Sequence, residues 1–120
     1  MDWKMKIVKR GEIWLVRFEP VVDSEIGKTR PAVILQNDIG NRHADTTIVA
    51  AITGRYKDLP TLVEVEPSPS NGLKQACAVN LSHLRTISKS RLVTRLGVLE
   101  VCYFQAIEES ALVSLGFRQI

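Results

Sequence analysis

No run of apolar residues in this sequence is long enough to cross a bilayer, and Met1 to Lys6 lacks the hydrophobic region of a signal peptide. Those two absences predict a cytoplasmic protein with no membrane partner. Cysteine is scarce. Cys77 and Cys102 lie in different apolar stretches, without Cys-x-x-Cys spacing or a nearby His pair, which argues against a zinc site and predicts two buried free thiols. Histidine is equally scarce: His43 falls in a polar loop and His83 beside a strand, and no neighbour in sequence marks either as catalytic. There is no Ser-His-Asp set in a recognisable context, no glycine-rich phosphate cradle, no internal repeat and no low-complexity tract. The paired carboxylates Glu64 and Glu66 stand at strand spacing and simply point to solvent on one face.

What is present is one domain, residues 1–120, long enough to bury a core without disulfides or metal. Its formal charge of +3 suits a polyanionic partner but falls short of a basic nucleic-acid arm. The periodicity is mostly that of strands. Glu12 to Phe18 is rich in β-branched and aromatic residues and apolar on both faces, so it reads as a strand buried on two sides and closed by Pro20. Ala32 to Gln36 reads as a second strand, ended by turn chemistry from Asn37 to Asn41. Thr46 to Thr53 reads as a third. Pro60 to Glu66 alternates apolar with acidic, Pro67 to Gly72 is a loop, and Ala76 to Leu81 with Leu84 to Ile87 forms one bent strand or two. Leu92 to Leu99 adds a last short strand. Beyond it Phe104, Ile107, Ala111, Leu112 and Leu115 recur at helical steps, predicting an amphipathic helix of about four turns that ends near Gly116. The class is mostly β with α, a small barrel carrying a C-terminal helix.

The chain is organised around Pro20 to Asp38, where a polar loop feeds into a buried strand. Arg30 sits at the joint, and Pro31 holds it in extended backbone. A planar, permanently charged donor fork at the mouth of a rigid element suits phosphate or carboxylate recognition, although a surface salt bridge to Glu25 or Glu19 is the simpler reading of the residue alone. Thr53 ends a buried strand, where a small hydroxyl can meet a ligand. Lys4, Lys6, Lys9, Arg10 and Arg17 crowd the N-terminal end as a solvated rim or part of a phosphate-facing surface.

In order and spacing, the segments from Lys9 to Trp14, Ser24 to Asn37, Thr47 to Thr53 and Leu59 to Thr61 resemble the MazF/PemK family of toxin endoribonucleases. The likeness continues through Leu84 to Ile87 and the terminal helix. Its most specific part is Gly27-x-x-Arg30-Pro31 followed by Thr53. The resemblance implies an SH3-like barrel with a C-terminal amphipathic helix, a homodimer, and sequence-specific cleavage of single-stranded RNA or mRNA without metal or other cofactor. It also implies a cognate antitoxin, whose acidic, disordered tail would fold across a basic groove. Family catalysis maps onto Arg30 and Thr53, with Glu25 as a third member. A ribose 2′-hydroxyl would attack the adjacent phosphorus, leaving a 2′,3′-cyclic phosphate and a 5′-hydroxyl. Arg30 is assigned stabilisation of the transition-state charge and a proton for the leaving oxygen, Thr53 orientation of the phosphate, and Glu25 support of Arg30 or a proton. RNA contacts are assigned to Ser24, Lys28, Thr29, Gln36, Asn37 and Arg10. Asp23 stands where the family often has Gly and Ile26 where it often has Gln, which bears on the recognised sequence. A protein-binding topoisomerase poison of the CcdB kind and an inactive antitoxin-binding module are the alternatives.

Overall fold

The computed structural model describes residues 6–18 and 29–119. Six strands form one antiparallel sheet: β1 (Glu12–Arg17), β2 (Thr29–Ile34), β3 (Thr46–Thr53), β4 (Leu62–Val65), β5 (Cys77–Ser88) and β6 (Leu92–Val98), in the order β4-β5-β3-β2-β1-β6. Among the described residues two α-helices accompany it, α1 (Asp38–His43) and α2 (Phe104–Ser114).

Alternation along each strand sends side chains to two cores. Ile13, Val33, Ala50, Ile52, Val79 and Leu81 face one side, where Ile107 of α2 is buried among them and Phe104 and Ala111 pack alongside. Trp14, Val16, Ala32, Ile34, Val49 and Ala51 face the other, with Val8, Phe18, Ile87 and Leu92. β1 is thus buried on both faces, as its uniformly apolar centre requires. Each fully buried Val, Leu or Ile contributes roughly 1.5–3 kcal/mol, so two cores hold the sheet from both sides.

The strand edges depart from alternation in ways that matter for function. β3 pairs Ala50 with Leu84 but Ala51 with Asn80, so Leu81, Ser82 and His83 bulge from β5 opposite a single step of β3. The two predicted segments are therefore one strand with a bulge in it. β2 begins at Thr29 rather than Ala32, which places Arg30 within the strand instead of at its mouth. Pro31 is tolerated because pairing of β2 with β3 starts only at Ala32.

Three further expectations need correction. The Asn37–Asn41 turn is the start of α1: the Asn37 side chain accepts the Gly40 N–H at 2.8 Å and caps the helix, and cap chemistry resembles turn chemistry in sequence. The terminal helix is shorter than expected, with eleven residues after a 3-10 turn at Val101–Tyr103, and Leu115 is exposed rather than on its buried face. It ends at Ser114, and just past it Gly116 (φ +82°) turns the chain so that the Phe117 N–H reaches the Leu112 carbonyl at 2.9 Å. Cys77 is buried but Cys102 is exposed, because it lies in that 3-10 turn at the helix entrance.

Among the described residues no ladder joins β4 to β6, so the sheet is open. A loop spans part of the gap. Asn71, fully buried, accepts the N–H groups of Ser68 and Leu73 and donates to the Glu66 carbonyl and the Glu100 carboxylate. The loop so fixed bonds to β6 through Val98 N–H to Ser70 carbonyl at 2.8 Å. A Cβ on Gly72 would come within 2.1 Å of the Leu96 carbonyl, so only glycine fits there.

Candidate active site

β2 and β3 pair Ile34 with Val49, Val33 with Ala50 and Ala32 with Ala51. Arg30 and Thr53 each lie two residues beyond the last of these pairs, on the strand face of Ala32 and Ala51. β1 adds Val16 opposite Arg30, and β5 adds Ala78 opposite Thr53. Because Pro31 lies beyond the last β2–β3 pair, the two strand ends border open space rather than each other's backbone. Arg30, Thr53 and Arg55 line two cavities there, one of about 1060 Å³ and one of about 530 Å³.

The Thr53 hydroxyl is held in a tight turn, donating to the Arg55 carbonyl at 3.0 Å and accepting the Arg55 N–H at 3.2 Å. One lone pair remains for a further donor. Gly54 follows, where a Cβ would meet the Gln75 amide nitrogen at 2.9 Å, so the side chain of Gln75 closes over the backbone at the rim of the larger cavity. Lys74 lies beside it, and Leu15, Leu73 and Leu96 supply apolar wall.

The smaller cavity is lined by Tyr56, Lys57 and Leu59 from the β3–β4 connection, Leu62 from β4, and Asn80 and His83 from β5. α2 fixes both of its walls. Ser110 donates to the Pro60 carbonyl at 2.7 Å and Ser114 to the Leu81 carbonyl at 2.7 Å. Between them, the Leu81 N–H reaches the Thr61 carbonyl at 2.8 Å and the Ser82 hydroxyl reaches that of Thr61 at 2.9 Å. Partial desolvation and the Glu64 carboxylate push the Tyr56 phenol above its ordinary value, so it keeps its proton at neutral pH. Among the described residues, no group of three or more His, Cys, Asp or Glu could hold a metal ion.

A model of the PemK-like, MazF-like toxins of type II toxin-antitoxin systems matches residues 9–115. The chain belongs to this toxin family. It is 40% identical over 112 residues to endoribonuclease EndoA of Bacillus subtilis (strain 168), covering 92% of this chain and 96% of that protein. Among solved structures, the Mycobacterium tuberculosis toxin MazF-mt6 superposes with a TM-score of 0.73 at 26% identity, over 88% of this chain and 96% of that one. An endoribonuclease from mycobacterial species in complex with its cognate antitoxin gives 0.76 at 24% identity, over 94% and 99% of the two chains.

The toxin's sequence-derived candidates separate into three groups. Arg30 and Thr53 come together, with Thr29 exposed beside Arg30 on β2. Glu25, Ser24, Lys28, Asp23 and Ile26 lie outside the described residues. Arg10, Gln36 and Asn37 sit at the other end of β2, about 20 Å along the sheet at the usual strand rise. There Arg10 donates its backbone N–H to Asp38 at 2.7 Å and its Nε to the Leu35 carbonyl at 3.2 Å, and its guanidinium lies 5.0 Å from the Phe104 ring centre. Gln36 donates to Asn41 and to the Thr46 carbonyl, and Asn37 caps α1.

Sequence reasoning missed Tyr56, Lys57, Lys74, Gln75, Asn80 and His83 as lining groups. The signal for Asn80 and His83 was the lapse in alternation between Leu81 and Leu84, which marks the bulge. For Tyr56 and Lys57 it was only the polar character of their loop.

Proposed function

We infer that the protein is a metal-independent, sequence-specific endoribonuclease that cleaves single-stranded RNA in the cytoplasm as the toxin of a type II toxin-antitoxin pair. The observation that supports this reading is that Arg30 and Thr53 line the same two cavities, in a chain 40% identical to an endoribonuclease. The ribose 2′-hydroxyl attacks the adjacent phosphorus. The P–O5′ bond breaks, leaving a 2′,3′-cyclic phosphate and a 5′-hydroxyl.

Arg30 offers two parallel donors to the phosphoryl oxygens as negative charge grows on them, and donates a proton toward the leaving oxygen. Thr53, its hydroxyl already oriented by Arg55, fixes the scissile phosphate by turning its O–H from the Arg55 carbonyl to a phosphoryl oxygen. Glu25 acts on Arg30 or on a proton from the neighbouring stretch. Thr29, with Ser24 and Lys28 before it, contacts the RNA strand. Arg10, Gln36 and Asn37, as expected from the resemblance, would extend the RNA path to the far end of the sheet. Their existing bonds favour a structural role instead.

The finer fold is an SH3-like barrel whose closure passes through the Pro67–Gly72 loop rather than a strand ladder. The active form is a homodimer, and the cognate antitoxin lays an acidic segment over the basic end, as a charge of +3 favours. The competing protein-poison reading needs neither Arg30 nor Thr53.

The test is to incubate the purified protein with a long, structure-poor RNA in EDTA and map the new 5′ ends, alongside Arg30→Ala and Thr53→Ala. Cuts at one short motif, carrying 5′-hydroxyls and lost in the variants, are the expected result. No cuts at any motif, or undiminished cutting by both variants, would overturn the reading or its site.

A further inference from the structure

Attack by a 2′-hydroxyl needs a group to take its proton, and the described cavity wall offers few. Arg30, Arg55 and Lys57 enter as cations with no lone pair to give. Tyr56 holds its proton, because desolvation and the neighbouring Glu64 both disfavour the phenolate. Thr53 and Asn80 are neutral and far too weakly basic. One residue remains.

We propose that His83, carried on the β5 bulge into the cavity shared by Arg30 and Thr53, is the catalytic base that removes the 2′-hydroxyl proton. The inference rests on the ribonuclease reading and adds to it a proton acceptor that the Arg30–Thr53 pair lacks.

The bulge is what makes the placement possible. With regular pairing, β5 would advance one residue for each residue of β3. Instead, three extra residues fall between Asn80 and Leu84, and His83 lines the same cavity wall as Asn80, whose partner Ala51 belongs to the Arg30–Thr53 face. The bulge is tied down on both sides. The Ser82 N–H bonds the Asn80 side chain at 3.0 Å, the Ser82 hydroxyl bonds Thr61 at 2.9 Å, and α2 grips the Leu81 carbonyl through Ser114. A base held on a fixed element rather than a mobile loop keeps its geometry through the reaction. Imidazole is also the one side chain whose ordinary titration allows it to accept and release a proton near neutral pH.

The step balances. The 2′-oxygen forms its bond to phosphorus as its proton passes to the imidazole nitrogen. The P–O5′ bond breaks with its electron pair going to O5′, which takes the proton that Arg30 donates, and the guanidinium regains one from water. The imidazolium then returns its proton to solvent. The charged and titratable groups that face His83 across this cavity are Arg30 from β2 and Arg55, Tyr56 and Lys57 from the β3–β4 connection, with Glu64 of β4 behind Tyr56.

The experiment compares wild type, His83→Gln, His83→Ala, Glu25→Gln and Arg30→Ala under single-turnover conditions across pH. The substrate is a short RNA bearing the motif mapped with wild type. Urea denaturation checks that each variant is folded. His83→Gln is expected to slow cleavage by on the order of 10²-fold or more at neutral pH and to lose the rate increase that wild type shows as the base deprotonates. RNA binding should be unchanged, and added imidazole should restore part of the activity of His83→Ala. A folded His83→Gln with the wild-type rate and pH profile would overturn the proposal. So would a slow variant that keeps the wild-type pH profile, which marks a positioning role, or loss of the pH limb in Glu25→Gln alone. Failure of wild type to cut RNA would instead strike the ribonuclease reading itself, and full activity in Arg30→Ala would strike the site on which that reading places the chemistry.

Discussion

The two ends of the central strands have similar polar compositions and opposite fates. At the α1 end, Arg10, Gln36, Asn37, Asp38, Asn41, Thr47 and Lys89 satisfy one another. Asn41 is buried, accepts from Thr47 at 2.7 Å and from Gln36 at 3.1 Å, and donates to Asp38 at 3.1 Å, while its own carbonyl accepts from the buried ammonium of Lys89. At the other end, Arg30, Thr53, Arg55, Lys57 and His83 line open cavities. A closed polar network spends its donors on the fold, whereas the open end keeps donors for a ligand. The difference originates in backbone: α1 folds over one end, while Pro31, Gly54 and the β5 bulge interrupt the ladders at the other.

Substitutions that act on one end alone would sharpen this division. The largest expected effect is Arg30→Ala, which should lower RNA cleavage by on the order of 10²–10³-fold, the usual cost of losing a donor aimed at developing charge. Its urea midpoint should stay at the wild-type value, since Arg30 is exposed. A large loss of stability would mean that the open end is structural as well.

Asn41→Ala is the mirror experiment. It strands the Thr47 hydroxyl, which is fully buried, and the Gln36 amide, and should cost about 2–4 kcal/mol in urea unfolding. Cleavage per folded molecule should not change. A selective loss of cleavage with stability intact would break the comparison by giving the closed end a direct role. A smaller effect is expected for Asn37→Ala, which removes the α1 cap and should cost about 1 kcal/mol. If it changed the cleaved motif instead, Asn37 would be a base-reading residue despite its cap bond.

These contrasts show how far the sequence could be read. The strands were legible because their apolar alternation is a local signal, and Arg30 with Thr53 was legible through a motif. Their pairing was not, because register depends on which residues of β2 and β3 meet, and nothing in either segment alone states it. Arg10, Gln36 and Asn37 are assigned to RNA by the resemblance, and their sequence does not state that they also bond within the fold, because an amide or guanidinium has the same chemistry whether it faces a base or a helix terminus. Only α1 distinguishes the two, and its six residues with Gly40 in the middle carry no apolar periodicity. His83 was passed over for the converse reason: its partners in the cavity come from β2 and the β3–β4 connection, distant in sequence.

The smallest effect concerns acid. Asp38 accepts the Arg10 N–H and an Asn41 amide, and these bonds, with the nearby charges of Lys9 and Arg10, hold its carboxyl below the ordinary value despite some opposing desolvation. A carboxyl lowered in the folded state contributes stability above its unfolded pKa and loses that contribution as pH falls through the folded one. Glu100, lowered chiefly by its bond from Ser68 and also by Asn71, behaves in the same way on the loop that meets β6. Stability should therefore fall with pH starting near the ordinary values of 3.8 and 4.5 and continue below them. Asp38→Asn should flatten part of that fall while leaving neutral-pH cleavage alone, because it changes only the closed end. Unfolding midpoints from pH 6 down to about 2.5 would check it against the span over which ordinary carboxylates titrate. An unchanged slope would mean that the Arg10–Asp38 contact persists on unfolding or contributes nothing. A change in cleavage at neutral pH would show that α1 communicates with Arg30 along the full length of β2.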